Sequence, residues 1–199
     1  MRLLLFSDIH SDLPALRKLM STPADVYIAA GDLVNWNRGL ADCGRIMQSH
    51  GDKVWVLPGN HESAAEIASF CAAFGFRNFH EQAWRAGPYW IAGLGYSNPT
   101  PFNTPGEYSE KELAERLRKF AGLAPLVLVC HAPPFGTDLD RVGPGRHGGS
   151  SAVKAFLKEH PPEYFFCGHI HECWGVEVRL GKTQAVNLGR KGYLLELPG

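Results

Sequence analysis

The chain has 199 residues, 45% of them hydrophobic and 20% charged, with 20 Lys+Arg balanced by 20 Asp+Glu. That length suits one domain spanning 1–199, and the composition excludes a disordered chain. Zero net charge excludes a nucleic-acid coat protein or a polybasic membrane binder, and the nine His are more than such a chain ordinarily carries.

Taken in order, Leu3–Phe6 is a short apolar run ended by Ser7-Asp8, too short for the apolar core of an export signal. No stretch approaches the ~18 apolar residues of a membrane span, so a cytoplasmic protein without a membrane partner is expected. Leu13–Ser21 follows Asp12, a good helix N-cap. Val26–Ala30 and Val54–Leu57 are further apolar runs, and Ser63-Ala-Ala-Glu66 is a capping box opening an amphipathic stretch. Trp90–Leu94 is a strand candidate, and Ser109-Glu-Lys-Glu112 is a second capping box. Leu126–Cys130 and Tyr164–Cys167 complete the set of short runs, with a helix from Ser150 or Ser151 to about His160 between them. Runs of four or five branched or aromatic residues, bounded by Gly, Pro, Asp or Asn, read as strands buried on both faces. Val176–Leu180, Thr183–Leu188 and Tyr193–Leu197, spaced by Gly-Lys and Gly-Arg-Lys-Gly turns, predict an antiparallel meander. The order predicts a mixed α/β layered fold with more than one sheet. Two long Gly/Pro-rich loops, 95–108 and 132–149, have the character of functional rims or lids. The five Cys (43, 71, 130, 167 and 173) form no CxxC pair and read as reduced, buried thiols.

The residues that follow the buried strands carry the chemistry. After Leu3–Phe6 comes Ser7-Asp8-Ile9-His10; after Val26–Ala30, Gly31-Asp32; after Val54–Leu57, Pro58-Gly59-Asn60-His61-Glu62; after Leu126–Cys130, His131; after Tyr164–Cys167, Gly168-His169-Ile170-His171. Ligands of α/β sheets gather at the carboxyl ends of strands, so these groups converge on one rim. Residues i and i+2 of an extended segment point to one side, which lets Asp8 pair with His10 and His169 with His171. The donors are oxygen and imidazole, with no Cys among them, which suits Mn, Fe or Zn. Asp8, His10, Asp32, Asn60, His131, His169 and His171 exceed what one ion needs; two ions sharing one carboxylate would use them all.

These motifs, in this order and at these strand ends, resemble the signature of the calcineurin-like metallophosphoesterases over residues 8 to 171. The resemblance implies a four-layer α/β/β/α sandwich of two mixed sheets with a dinuclear site on the sheet edges. It further implies that Asp8, His10 and His171 hold one divalent ion and Asn60, His131 and His169 the other, with Asp32 bridging. His61, beside the second ion but not binding it, would protonate the leaving oxygen or stabilise the charged transition state, with metal-bridged hydroxide attacking phosphorus. Segments 95–105 and 167–172 resemble the compact branch similar to cyclic-nucleotide phosphodiesterase-like proteins. The site, with no large cap over it, makes a small phosphodiester such as a cyclic nucleotide the expected substrate; alternatives are a phosphomonoesterase or phosphoprotein phosphatase, and a non-catalytic protein-binding scaffold on the same fold. Homo-oligomerisation stays open.

Two departures matter. The family pattern Gly-Asp-x-x-Gly is here Gly31-Asp-Leu-Val-Asn35, where Asn35 is expected to keep the left-handed turn and present an amide to substrate. Asp12 stands where many relatives have Asn and reads as the helix cap. His147, with Arg146, precedes a helix start and is a candidate phosphate contact, while Asn98, Thr100 and Asn103 are candidates for shaping the substrate pocket. Glu62 either supports a ligand histidine or caps a helix. His50, His80 and His160 read as background.

Overall fold

The computed structural model describes residues 1–36 and 38–198. In chain order the strands are β1 (Arg2–Phe6), β2 (Val26–Ala30), β3 (Val54–Leu57), β4 (Arg77–Asn78), β5 (Gln82–Ala86), β6 (Tyr89–Leu94), β7 (Leu126–Cys130), β8 (Arg141–Gly143), β9 (Arg146–His147), β10 (Tyr164–Cys167), β11 (Glu177–Leu180), β12 (Thr183–Asn187) and β13 (Tyr193–Glu196). The helices are α1 (Leu13–Met20), α2 (Leu40–Met47), α3 (Ala64–Phe74), α4 (Glu110–Leu117) and α5 (Ser151–Glu159). One sheet runs β13-β1-β2-β3-β4 and the other β11-β12-β10-β7-β6-β5, with β8-β9 as a separate small ribbon.

Side-chain alternation explains the layering. On β1, Leu3 and Leu5 enter the core between the sheets, while Leu4 and Phe6 face the opposite way into the core shared with α1, α2 and α3. On β7, Val127 and Val129 join the inter-sheet core, and Leu126, Leu128 and Cys130 face α4 and α5. These central strands are thus apolar on both faces because each face is covered. The result is the expected α/β/β/α sandwich of two mixed sheets. Helix starts follow local chemistry: Asp12 accepts from the Ala15 N–H (3.0 Å), and Ser63 with Glu66 and Ser109 with Glu112 form capping boxes. Ser150 accepts from the Val153 N–H (3.2 Å) and donates to Glu110 (2.7 Å), tying α5 to α4.

The C-terminal meander is corrected. β11 and β12 do form an antiparallel hairpin, but β13 leaves for the other sheet and pairs antiparallel with β1, Leu3 opposite Leu195. The second edge of β12 is already taken by β10, so β13 has no place there, while the outer edge of β1 is open to it. Helix α2 has no clear signature in the sequence: Gly44 interrupts its pattern, because a Cβ there would collide with the Phe74 ring. Strand β5 is equally silent, since Gln82–Ala86 is a largely exposed edge strand without an apolar run. All five Cys are free and buried, and burial pushes the Cys43, Cys71 and Cys130 thiols up to about 12. Among the described residues no helix is long and apolar enough to cross a membrane.

Candidate metal centre

The parallel strands β1, β2, β3, β7 and β10 all release their chains toward one rim. There the Gly168 N–H donates to the His131 carbonyl (3.1 Å), joining the neighbouring strands β10 and β7, and His131 Nδ1 lies 2.8 Å from the Ala30 carbonyl at the end of β2, tying one sheet to the other. Several site residues hold left-handed backbone: Asp8 (φ 54°), His10 (46°), Asp32 (54°) and His169 (70°). Each such residue costs roughly 1–3 kcal/mol, a strain that clusters at functional sites. Glycines make the close approach possible: a Cβ on Gly59 would fall within the Asp32 carboxylate, and one on Gly168 within that of Asp8.

The candidate ligands fall into two groups with Asp32 between them. In the first, His10 Nε2 lies 3.0 Å from His171 Nε2, and Asp8 Oδ1 is 3.5 Å from the latter. In the second, Asn60 Oδ1 is 2.8 Å from His169 Nδ1 and 3.2 Å from His131 Nε2. Asp32 Oδ2 lies 3.7 Å from His10 Nε2 and 3.4 Å from His131 Nε2, facing both. His61, expected beside the second group, meets the His10 ring edge-on at 5.1 Å and could join His10 and Asp32 in a third grouping.

Tautomers can be read from the partners. The Asn35 amide oxygen, 2.7 Å from His10 Nδ1, accepts, so His10 carries its proton on Nδ1 and turns a bare Nε2 lone pair inward. The Ala30 carbonyl does the same for His131. Asn60 Nδ2 donates to Thr104 Oγ1 (3.1 Å), leaving its carbonyl oxygen for the centre. Lone pairs from imidazole, amide and carboxylate crowded within 3–4 Å repel one another unless a cation sits among them, so this donor set fits divalent metal ions.

Charge is arranged accordingly. Burial opposes ionisation of Asp32, but His131 and His10 hold its carboxyl far below the usual range, and Asp32 in turn pushes His131 upward against its own burial. Burial, then repulsion from His131, lowers His169 to about 4.

Two supporting residues act at a distance, Glu62 in a role other than those expected of it and Asn187 without any forewarning in the sequence reading. Glu62 is fully buried and accepts from the N–H groups of Gly59 (2.9 Å), Asp32 (3.0 Å) and Val34 (3.0 Å); it neither supports a ligand histidine nor caps a helix. Burial and the nearby Asp32 charge raise it to about 8. Asn187, also fully buried, donates through Nδ2 to the carbonyls of Leu139 (3.0 Å), Gly168 (3.1 Å) and Ile170 (3.2 Å), fixing the Gly-His-x-His loop. A polar residue closing an apolar strand was the available signal.

A cleft of about 690 Å³ opens over the centre, with Asp32, Asn60, His61, His169 and His171 among its lining. Asn98, Thr100, Arg146 and His147 line it as expected; Asn103 is exposed and lies outside that lining. Asn35 differs from expectation: its amide faces His10, and the left-handed residue of its turn is Trp36 (φ 49°). His50, His80 and His160 pack elsewhere, against Tyr27, Tyr96 and Phe156.

The family model described as calcineurin-like phosphoesterase matches residues 1–173. The chain is 30% identical to the uncharacterized protein MJ1162 of Methanocaldococcus jannaschii, over 98% of this chain and 91% of that one. Among solved structures it is similar to TT1561 of Thermus thermophilus (23% identity, TM-score 0.71, 97% of each chain). It also resembles the phosphopantetheinyl hydrolase PptH of Mycobacterium tuberculosis (17% identity, TM-score 0.64, 94% of this chain and 89% of that one). With its motifs gathered on the facing edges of two sheets and this match over most of its length, the chain belongs to the calcineurin-like phosphoesterase family, which is metal-dependent.

Proposed function

We propose that the chain is a dinuclear metal-dependent phosphoesterase that hydrolyses a small phosphodiester. The observation that carries this reading is the pair of ligand groups joined by Asp32 at the floor of an open cleft. Asp8, His10 and His171 would hold one ion and Asn60, His131 and His169 the other, with Asp32 shared. When bound, such ions supply a nucleophile from water at neutral pH and neutralise phosphoryl charge.

The chain's own groups do the rest. Asn35 and the Ala30 carbonyl keep His10 and His131 in the tautomer that ligates through Nε2. His61 Nδ1 accepts from the Trp36 N–H (3.4 Å), which places the neutral ring's proton on Nε2. That proton is available to the leaving oxygen, the role of a general acid. The preference for a diester rests on the cleft: beyond the centre it continues over Pro99, Pro101, Phe102, Val142 and Ile170, an apolar surface suited to a second organic group.

Metal analysis followed by turnover of bis-p-nitrophenyl phosphate and p-nitrophenyl phosphate with added Mn tests the reading. Two ions per chain, lost together in Asp32→Ala, and faster diester hydrolysis are expected. Monoester preference overturns the substrate class. Absence of any hydrolysis, with His61→Ala indistinguishable from the parent, overturns the enzyme.

A further inference from the structure

The loop 132–149 contains an acid–imidazole pair that the chemistry at the cleft floor does not use. Asp140 is fully buried, and its carboxylate accepts from the N–H groups of Gly136 (3.0 Å), Thr137 (2.9 Å) and Gly149 (2.9 Å). Its fourth partner is His147 Nδ1 at 2.7 Å. A carboxylate so surrounded by donors is itself an acceptor, so the His147 proton sits on Nδ1. Phe135 meets the ring edge-on at 5.8 Å and sets its plane. His147 is one quarter exposed and lines the cleft, and its Nε2, on the ring side away from Asp140, has no partner among the described residues. In the neutral ring Nε2 is an acceptor, held in place and open to whatever fills the cleft.

The second long loop is clamped beside it, because Asn98 Nδ2 donates to the Gly148 carbonyl (3.1 Å). That loop carries Phe102, which is 71% exposed, more than any other large hydrophobic side chain described, and lines the same cleft. A fixed hydrogen-bond acceptor and an uncovered aromatic face, presented together, match a flat aromatic group with an N–H on its edge.

We infer that His147 is a specificity-determining residue: its Nε2 accepts from the N–H edge of the nucleobase of a nucleoside whose sugar is esterified to the scissile phosphate, while Phe102 covers the base's face. This deepens the phosphoesterase reading and rests on it for the position of the phosphate.

The test is calorimetric titration of the Mn-loaded protein with AMP, ribose 5-phosphate and inorganic phosphate. AMP is expected to bind at least about tenfold tighter than ribose 5-phosphate, the worth of one fixed hydrogen bond with stacking. In His147→Ala, AMP should bind several-fold more weakly than to the parent, keeping only the part of the preference that Phe102 supplies, with ribose 5-phosphate and inorganic phosphate unchanged. His147→Gln, which offers an amide oxygen near the position of Nε2, should retain most of the preference. Equal binding of AMP and ribose 5-phosphate by the parent overturns the inference, as does an unchanged AMP affinity in His147→Ala. So does a parallel loss of all three ligands in a variant whose melting shows it folded. Failure of the phosphoesterase reading looks different: no ester is turned over and inorganic phosphate does not bind, whereas discrimination by the cleft wall is read from binding alone.

Discussion

His80 lies away from the centre and provides a measurable link between pH and stability. The Gly95 N–H donates to its Nδ1 (3.0 Å), so the ring proton is on Nε2, which donates to Tyr108 Oη (3.2 Å); that hydroxyl donates on to Glu81 (3.2 Å). Burial lowers His80 from 6.5 to about 4; Glu81 opposes the shift, and Arg116 and Lys119 assist it. The sign follows directly. Below pH 6.5 the unfolded chain takes up a proton that the folded chain refuses until about pH 4. Stability therefore falls as pH falls through that window, by about 2 kcal/mol between pH 7 and pH 5 from this one residue. His80→Asn keeps an amide oxygen near the Gly95 N–H and removes the titration. It should be less stable than the parent at pH 7, by about 1–3 kcal/mol for the lost bond and the ring's volume. At pH 5 that gap should narrow by about 2 kcal/mol. Urea unfolding of both proteins at the two pH values, with EDTA present throughout, reads the gap. The same gap at both would refute the reasoning.

Asn187→Ala leaves the Leu139, Gly168 and Ile170 carbonyls without their donor; a loss of about 1–3 kcal/mol in urea and a tenfold to hundredfold drop in Mn affinity by calorimetry are expected, roughly. Saturating Mn at 100 times its Kd should stabilise the parent by about 2.7 kcal/mol for each ion bound, about 5.4 kcal/mol for two, in thermal unfolding, and EDTA should remove the gain. Gly59→Ala, whose new methyl group would overlap the Asp32 carboxylate, should show no Mn-induced shift in the same assay. Ser63→Ala breaks the capping box of α3 and should lose about 1 kcal/mol in urea while leaving Mn binding intact.

The candidate site was legible because its donors follow strands and turns that are themselves local. Asp8, Asp32 and His131 each come directly or almost directly after an apolar run, and the alternation within β1 and β7 already implies cover on both faces. What escaped reading depends on distant partners. Nothing near Asn60 announces that Thr104 orients its amide, and nothing near Glu62 announces that Val34 and Asp32 donate to it. The destination of β13 likewise turns on which sheet edges are vacant, a property of the assembled fold. Asn35 reads in the sequence as a residue of the turn, whereas its amide serves a histidine 25 positions earlier.

The pairing of β1 with β13 also imposes an order in time. One edge of β1 has no partner until Tyr193–Glu196 has been made, nearly the whole length of the chain later. Such distant pairing slows folding and leaves a nascent apolar strand open to wrong neighbours. Asp8 and His10 hang from that strand, and the loop carrying His169 and His171 waits for Asn187 to secure it. The candidate centre therefore matures late, and a metal ion offered during synthesis meets a secured set of donors only after Asn187 has been made and has closed on that loop.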